Sequence, residues 1–250
     1  MNFEEIIKAI PQKPYYLDLE YGQAIYCADC REILSTIPDK SIDLVLTSPK
    51  FNLGNTHHTG NIRHQAYDDD MPERDYQAEQ TVILDRLYRV VKDTGSCWYQ
   101  HKNRIKQGVS ISPYKWIFNT SWLVKQEIVW RNRSQNFDKI RFYPMTERLY
   151  WLAKSPETKL YNIVNLHDDW HIEPVGSGGE HTRAFPDELV NNVLICFPQS
   201  ELILDPFLGS GTTAYCAKKL GRKCIGIEIE EKYCEIAVKW LRQSIMKLEI

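Results

Sequence analysis

A glycine-rich turn in the last fifth of the chain carries residues that could bind an adenosine-type cofactor. An apolar run ends at Asp205, turns through Gly209 and Gly211, and leads into a helix-like run from Thr212. Glycines in such a turn let a ligand approach the backbone, and the free N–H groups of the following helix point at it. The next apolar run ends at Glu228, whose carboxylate can accept hydrogen bonds from ribose hydroxyls. The pattern predicts a site for either S-adenosylmethionine or a nicotinamide dinucleotide.

The residue types in this turn favour the methyl donor. A carboxylate at Asp205, directly before the glycines, suits the cationic amino group of the methionine moiety and would repel a pyrophosphate. The turn also lacks the Gly-Lys-Ser/Thr ending of nucleotide-hydrolase phosphate loops, which argues against that class. An NAD-dependent oxidoreductase remains the alternative, because the turn matches GxGxxA and Glu228 follows it.

A second candidate motif is Ser48-Pro49-Lys50-Phe51, which directly follows the apolar run 42–47. Taken alone it is an ordinary turn in which a proline ends a strand. The motif becomes informative because the glycine turn also follows a strand. The carboxyl ends of parallel strands gather at one edge of the sheet, so the two motifs are expected to lie close together.

The elements that must position both motifs alternate between strand-like and helix-like runs. Strands alternating with helices predict an α/β fold with a mostly parallel sheet covered by helices on both faces. The predicted strands are 24–28, 42–47, 96–99, 127–130, 148–153, 201–205 and 223–229, and the predicted helices are 31–37, 76–91, 186–196, 212–220 and 231–246.

Composition excludes several classes of protein. The chain has 250 residues, 43% hydrophobic and 26% charged, which is typical of a globular domain and not of a disordered or coiled-coil protein. It contains no apolar run long enough to cross a membrane and no secretory signal, and its seven scattered cysteines are expected to be reduced thiols. Cys27 and Cys30 form a CxxC pair without a second pair at zinc spacing, so no metal site is predicted.

The charges are distributed unevenly along the chain. Residues 101–155 carry eleven basic and three acidic residues, a net charge of +8, whereas the whole chain has a net charge of −2. Trp116, Trp122 and Trp130 are interleaved with these cations. Cations alternating with aromatic rings suit phosphate contacts and base stacking, so this segment is a candidate nucleic-acid surface.

Together the two motifs resemble those of the DNA amino-methyltransferases. Ser48-Pro-Lys-Phe51 is similar to the family's (Asp/Asn/Ser)-Pro-Pro-(Tyr/Phe) signature, and residues 26–43, 89–95 and 181–189 resemble other blocks of the family. The order, with the signature first and the glycine block near the C-terminus, is similar to the family's β arrangement. The resemblance implies a Rossmann-like S-adenosylmethionine-dependent methyltransferase fold with a seven-stranded sheet and permuted motif order.

The resemblance also implies cofactor-binding residues. Asp205, Phe207, Gly209 and Gly211 would surround the methionine moiety, with Thr212 and Thr213 at the helix start, Glu228 on the ribose, Asp29 on the adenine amino group, and Arg183 and Phe185 at the carboxylate end.

The same resemblance implies that Ser48, Pro49 and Phe51 form the pocket for the target base. The exocyclic amino nitrogen of adenine or cytosine is a poor nucleophile, because its lone pair is delocalised into the ring. The Ser48 hydroxyl and the Pro49 carbonyl can each accept one N–H hydrogen bond, which favours a more tetrahedral nitrogen, while Phe51 stacks on the base. Such a pocket requires the nucleotide to be flipped out of the duplex.

Two features of the signature leave alternatives open. Serine at its first position is associated in the family more with N4 of cytosine than with N6 of adenine, and adenine remains the alternative target. Lys50 replaces the second proline and could reach a phosphate, and a non-catalytic DNA-binding module is the alternative of another class. The residues expected to contact DNA are Lys50, Lys102, Arg104, Lys106, Arg131, Arg133, Lys139 and Arg141.

The expected setting follows from the same reasoning. We expect one methyltransferase domain over residues 1–250, with irregular DNA-facing insertions near 51–75 and 155–183. The partner is double-stranded DNA, and a cognate restriction endonuclease and a homodimer are both compatible with the sequence. The expected location is the cytoplasm, in association with the nucleoid.

Overall fold

The computed structural model of the protein describes residues 1–54, 69–132, 140–142, 144–162, 167–174 and 185–243. The strands are β1 (Tyr16–Asp18), β2 (Gln23–Cys27), β3 (Ile42–Thr47), β4 (Val91–His101), β5 (Arg104–Lys106), β6 (Val109–Ile111), β7 (Leu123–Arg131), β8 (Thr146–Ala153), β9 (Asp169–Trp170), β10 (Leu202–Asp205) and β11 (Lys223–Glu228). The helices are α1 (Phe3–Ala9), α2 (Cys30–Thr36), α3 (Glu73–Val90), α4 (Tyr114–Ile117), α5 (Asp187–Cys196), α6 (Thr212–Lys219) and α7 (Glu231–Leu241).

Nine strands form the main sheet, in the order β1-β2-β11-β10-β3-β4-β8-β7-β9. The five strands from β2 to β4 in this order are all parallel, whereas β8 runs antiparallel to both of its neighbours. All seven predicted strands are present and adjacent in the sheet, which confirms the mostly parallel α/β fold. The described sheet is wider than the expected seven strands, because the short strands β1 and β9 extend its two edges.

Helices cover both faces of the sheet because successive strand residues point to opposite sides. Val45 of β3 packs into a core cluster that includes residues of α1, α2 and α3. Its neighbours Leu44 and Leu46 pack into a second cluster that includes residues of α5, α6 and α7. Each face of β3 is therefore buried, and the strand sits in the middle of the molecule.

The two stretches expected to be irregular contain regular structure. Helix α3 begins at Glu73, inside the stretch 51–75, and β9 lies inside the stretch 155–183. Residues 55–68, 163–166 and 175–184 of these stretches lie outside the described residues. Within the described part of the chain, no helix combines the length and apolar content needed to span a membrane.

Candidate active site

The sheet brings the two candidate motifs into direct contact. Strands β3 and β10 are parallel neighbours, so Thr47 and Asp205 end them at the same edge. The Thr47 hydroxyl Oγ1 donates a hydrogen bond of 2.7 Å to Oδ1 of Asp205. The residue before the Ser48 signature is thus bonded to the first residue of the glycine turn, although 158 positions separate the two in sequence.

Asp205 is a buried carboxylate with several donors around it. It is 2% exposed, and it accepts hydrogen bonds from the Thr213 hydroxyl (2.7 Å) and the Phe207 backbone N–H (3.1 Å) as well as from Thr47. Burial raises the pKa of Asp205 to about 6, and these hydrogen bonds oppose that shift. A desolvated carboxylate at the edge of a parallel sheet is suited to a cationic ligand group.

The two glycines of the turn have different roles. Both have positive φ angles, +55° at Gly209 and +94° at Gly211. A Cβ atom at position 211 would lie 2.7 Å from Cβ of Ala237, so α6 can approach α7 only with glycine there. A Cβ atom at position 209 would meet no atom of the described residues within 4 Å, so none of them fills the space beside the turn. The turn thus offers accessible backbone beside Asp205.

Glu228 ends the neighbouring strand β11 and faces this turn. Its Oε2 accepts a hydrogen bond of 2.8 Å from the Gly209 N–H, and its Oε1 accepts one of 2.9 Å from the Glu230 N–H. Burial raises the pKa of the Glu228 carboxyl, whereas the two backbone donors lower it. Like Asp205, Glu228 is a buried carboxylate at the carboxyl edge of the sheet.

The other predicted cofactor residues lie around this edge or outside the described residues. Asp29 caps the start of α2, and its carboxylate accepts hydrogen bonds from the backbone N–H (2.8 Å) and guanidinium (3.0 Å) of Arg31. Phe185 and Thr212 are buried, Phe207 is partly buried, and Arg183 falls outside the described residues.

The Ser48 hydroxyl is held by a chain of polar side chains across the sheet. Its Oγ donates to Oε1 of Gln100, and Nε2 of Gln100 donates to Oε2 of Glu147. Strand β3 is parallel to β4, with Thr47 opposite Tyr99, which brings Ser48 beside Gln100. Gln100 was not predicted as a site residue. The one feature of the sequence that points to it is a polar side chain at the next-to-last position of a buried strand.

A second chain of hydrogen bonds holds the backbone of the signature. The Tyr76 hydroxyl donates to the Lys50 carbonyl at 2.6 Å and lies 2.7 Å from Nε2 of His101. On its other side, Nδ1 of His101 lies 2.8 Å from the Lys102 carbonyl oxygen and 2.9 Å from the Lys102 backbone nitrogen, so both ring nitrogens have polar neighbours. Burial lowers the pKa of His101 to about 3, so the ring is neutral. His101 is therefore a structural histidine.

Asn52 closes the signature loop and was also missed in the sequence. It is fully buried, with a φ angle of +55°, a conformation that asparagine tolerates better than most residues. Its side chain donates to the Met71 carbonyl (2.9 Å) and accepts from the Met71 N–H (2.7 Å), while its own N–H donates to Asp69 (2.9 Å). The turn after Phe51 is thus fixed to the residues that precede α3.

Phe51 and Lys102 lie together beside Ser48. The Phe51 ring centre is 4.7 Å from that of His101, and the Lys102 ammonium is 5.5 Å from the Phe51 ring centre. The ring is only half-buried, so part of it is accessible. An accessible aromatic ring beside a hydroxyl and a cation suits a flat, polar base with its phosphate.

Lys50 lies on the cofactor side of the signature. Its Nζ is 5.8 Å from the Tyr233 ring centre, and the carboxylate of Glu228 favours its charged form although burial lowers the pKa of Lys50. This placement does not support the predicted contact with a DNA phosphate, since Lys50 lies near Glu228, which accepts a hydrogen bond from the glycine turn.

Arg104 also departs from the predicted contact with DNA. It is 2% exposed, and its guanidinium donates two hydrogen bonds of 2.8 and 2.7 Å to Glu73 and lies 4.6 Å from the Tyr76 ring centre. A buried and paired guanidinium is structural, because reaching a phosphate would leave Glu73 unpaired.

The remaining predicted DNA contacts have different surroundings. Arg131 pairs with Asp169 at 2.7 Å, and Lys106 lies 4.0 Å from Asp70, both with part of the side chain exposed. Arg141 is partly exposed, and Arg133 and Lys139 lie outside the described residues.

Comparison with known proteins agrees with this arrangement. The N6_N4_Mtase family model, described as DNA methylase, matches residues 42–239. The type II methyltransferase M.ScaI of Streptomyces caespitosus is 26% identical over 279 aligned residues, which cover 97% of this chain and 88% of that protein.

Solved structures share the fold. The cytosine-N4-specific PvuII DNA methyltransferase has a TM-score of 0.72 at 21% identity, covering 96% of this chain and 99% of that chain. The complex of M1.HpyAVI with SAM has a TM-score of 0.61 at 21% identity, covering 88% of this chain and 100% of that chain.

The family match spans both motifs, since it begins at the first residue of β3 and ends within α7. The chain therefore belongs to the N6_N4_Mtase family of DNA methylases, and it is a DNA methyltransferase.

Proposed function

We propose that this enzyme methylates N4 of cytosine in double-stranded DNA, acting on a nucleotide flipped out of the duplex. The observation that carries the proposal is the hydrogen bond between Thr47 and Asp205, which joins the Ser48 signature to the glycine turn. Methyl transfer needs the acceptor nitrogen and the donor methyl in line and within contact, and alignment of this kind can contribute up to about 7–11 kcal/mol.

The cofactor fits the residues around the glycine turn. When bound, S-adenosylmethionine supplies an electrophilic methyl group on a positively charged sulfur. The buried carboxylates of Asp205 and Glu228 suit a ligand that carries a cationic amino group and a ribose, and no described residue fills the space at Gly209. In our proposal Asp205 binds the amino group and Glu228 binds the ribose hydroxyls. Phe207, Gly211, Thr212, Thr213 and Phe185 shape the pocket, and the family resemblance assigns Asp29 to the adenine amino group and Arg183 to the carboxylate of the cofactor.

The signature loop activates the target nitrogen. Ser48 Oγ and the Pro49 carbonyl accept the two N–H bonds of the amino group, and the accessible face of Phe51 stacks on the base. No strong base is required before transfer, because the nitrogen becomes acidic once it is methylated and then releases its proton. The Lys102 ammonium beside Phe51 is placed to contact the phosphate of the flipped nucleotide.

Two observations favour cytosine over adenine. Serine stands at the first position of the signature, which in this family accompanies N4 methylation more often. The structural relative with a TM-score of 0.72 is specific for N4 of cytosine. Adenine N6 is the alternative target, and the products distinguish the two.

The first test is mass spectrometry of nucleosides from DNA propagated with this protein in a host that lacks DNA methylation. We expect N4-methylcytosine with the wild type and a strong reduction with Ser48→Ala, because that variant loses one of the two acceptors. Ser155→Ala, which removes the hydroxyl that bonds Glu157, serves as the matched control and should leave the mark intact.

Each other outcome has a defined meaning. N6-methyladenine in place of N4-methylcytosine would overturn the choice of base and keep the reaction. Neither mark, with the folded protein present, would contradict the proposed activity and support a non-catalytic DNA-binding module.

The cellular setting is proposed on the resemblance to the family. We infer that the enzyme acts in the cytoplasm on nucleoid DNA as one methyltransferase domain, and that a cognate restriction endonuclease and a homodimer are compatible with it. The relative M.ScaI is named a type II methyltransferase, which supports the proposal of a cognate restriction endonuclease. Purification from the native host, followed by size measurement, would test for the endonuclease and for the homodimer.

A further inference from the structure

A buried amide holds the hydroxyl of Ser48. The Oγ of Ser48 donates to Oε1 of Gln100, and Nε2 of Gln100 donates to Oε2 of Glu147. Gln100 is 1% exposed near the carboxyl end of β4, and Glu147 lies in β8, which pairs antiparallel with β4. Neither residue belongs to the cofactor turn or to the signature loop.

The partners permit only one direction for these hydrogen bonds. An ionised carboxylate can only accept, so Glu147 draws the NH2 group of Gln100 toward itself and turns the amide oxygen toward Ser48. Facing an amide oxygen, the Ser48 hydroxyl must donate, and its single proton is committed to Gln100. Its lone pairs stay available to another donor. A serine without this partner could turn its proton toward the target nitrogen and oppose the attack.

We propose that Gln100 and Glu147 are positioning residues that lock Ser48 as a hydrogen-bond acceptor for the amino group of the target base. The inference rests on the proposed function and deepens it. Aspartate and asparagine at the first signature position carry an oxygen that only accepts, whereas a serine hydroxyl needs a neighbour that takes its proton. Gln100 acts through Ser48, and Glu147 acts through Gln100.

This chain of groups orients the Ser48 proton without removing it. A primary amide does not pass a proton between two partners as an imidazole can. Glu147 therefore cannot deprotonate Ser48 through Gln100, and the hydroxyl remains neutral during methyl transfer. The network differs in this respect from a serine–histidine–carboxylate arrangement, in which the serine becomes a nucleophile.

The groups around Glu147 determine when it acts as a pure acceptor. Burial raises the pKa of the Glu147 carboxyl, while the Lys102 ammonium and the side-chain hydrogen bonds from Gln100 and Asn132 lower it. Protonated Glu147 would become a donor as well, and the direction of the chain would no longer be fixed. The rate constant of methyl transfer should therefore fall on the acid side as Glu147 gains a proton.

The first experiment measures single-turnover methyl transfer at saturating cofactor with Gln100→Met. We expect the rate constant to fall by roughly 10- to 100-fold, the cost of one misdirected buried hydrogen bond, with cofactor affinity unchanged. Gln80→Met is the matched control, because Gln80 is also a buried amide and accepts from the Tyr99 hydroxyl. It should lower the melting temperature and leave the rate constant intact. Equal rate losses in the two variants would overturn the inference.

The pH profile separates positioning from general structural support. At saturating cofactor we expect the wild type to lose activity on the acid side and Glu147→Gln to be slower but to lack this acid limb. Glu127→Gln, which removes a carboxylate paired with Arg148 at 2.7 Å on the neighbouring strand, should keep the wild-type limb. An acid limb that survives in Glu147→Gln would overturn the role of Glu147.

A double-mutant cycle tests whether Gln100 acts through Ser48. In the Ser48→Ala background, Gln100→Met should reduce the residual single-turnover rate little further, because the hydroxyl that it orients is gone. Additive losses would overturn the inference while leaving the proposed function intact. An inactive wild-type protein would overturn both.

Discussion

Asp205 and Glu228 place two buried carboxylates a short distance from the backbone of one turn. Burial raises the pKa of both, to about 6 for Asp205, so burial disfavours the charged forms that the proposed site needs. A cationic ligand bound beside these two carboxylates favours those forms. Binding of the methyl donor should thus relieve an electrostatic cost that the empty fold carries, and linkage then makes cofactor binding stabilise the protein.

Lys50 lies near Glu228 instead of on the predicted DNA surface, and it can be tested alone. Lys50→Met should weaken cofactor binding by roughly 3- to 10-fold, since Glu228 loses a nearby cation that favours its ionised form. DNA affinity and its salt dependence should stay unchanged. Calorimetric titration with S-adenosylmethionine, alongside DNA binding at several salt concentrations, checks both statements.

The control for Lys50 is a lysine away from both ligands. Lys8→Met removes an exposed cation of α1, close to Glu4 at 3.9 Å, and should change neither cofactor nor DNA binding. If Lys50→Met reduced the salt dependence of DNA affinity and Lys8→Met did not, Lys50 would contact DNA after all.

At the scale of elements, the contact between α6 and α7 depends on one glycine. Gly211→Ala combines a φ of +94° with a Cβ placed 2.7 Å from Cβ of Ala237. We expect it to lower the free energy of unfolding by roughly 2–4 kcal/mol, from backbone strain together with overpacking. Chemical denaturation measures the loss.

Gly108 provides the matched comparison, because its φ is +79° and a Cβ there would meet no described atom within 4 Å. Gly108→Ala should therefore lower the free energy of unfolding only by the backbone strain at positive φ, about 1–2 kcal/mol. Losses of equal size at the two positions would contradict a packing role for Gly211.

The elements could be predicted from sequence where their apolar runs are long. The seven predicted strands are the seven consecutive central strands of the sheet, and five predicted helices are present, because buried parallel strands and amphipathic helices leave clear periods. Strand β9 has two residues and α4 has four, too few to show a period.

The candidate site also has a part that could be predicted from sequence and a part that could not. The signature and the glycine turn are contiguous in sequence and were predictable as motifs. In the hydrogen-bonded chain from Ser48 through Gln100 to Glu147, the first two residues are 52 positions apart in sequence and the last two are 47 positions apart. Only the pairing of β3, β4 and β8 brings them together, and such pairing leaves no local pattern in the chain.

At the scale of the whole molecule, charge is divided between two regions. The chain has a net charge of −2, and residues 101–155 carry +8, so the remainder is strongly acidic. Part of the positive charge is internal, as the buried pair of Arg104 with Glu73 demonstrates. The charge count of the segment therefore overstates the number of cations that can meet DNA.

This distinction predicts different behaviour for two neighbouring cations. Lys106→Met should lower the slope of log affinity for DNA against log salt by about 1, because a partly exposed cation releases a counterion on binding. Arg104→Met should leave the slope unchanged and lower thermal stability, since Glu73 loses its buried partner. Fluorescence anisotropy with labelled duplex at several salt concentrations measures the slopes, and a lower slope for Arg104→Met would contradict its structural role.

The strand order also bears on how the protein is made. Strands β11 and β10 separate β2 from β3, so the two early strands never pair with each other. As the polypeptide leaves the ribosome, β2 and β3 present unpaired edges until some 150 further residues have been synthesised, and such edges invite association with other chains. Strands β10 and β11 fill this gap, and they bring Asp205 and Glu228 to the sheet. The two carboxylates of the proposed cofactor site therefore join the sheet with the strands that close it.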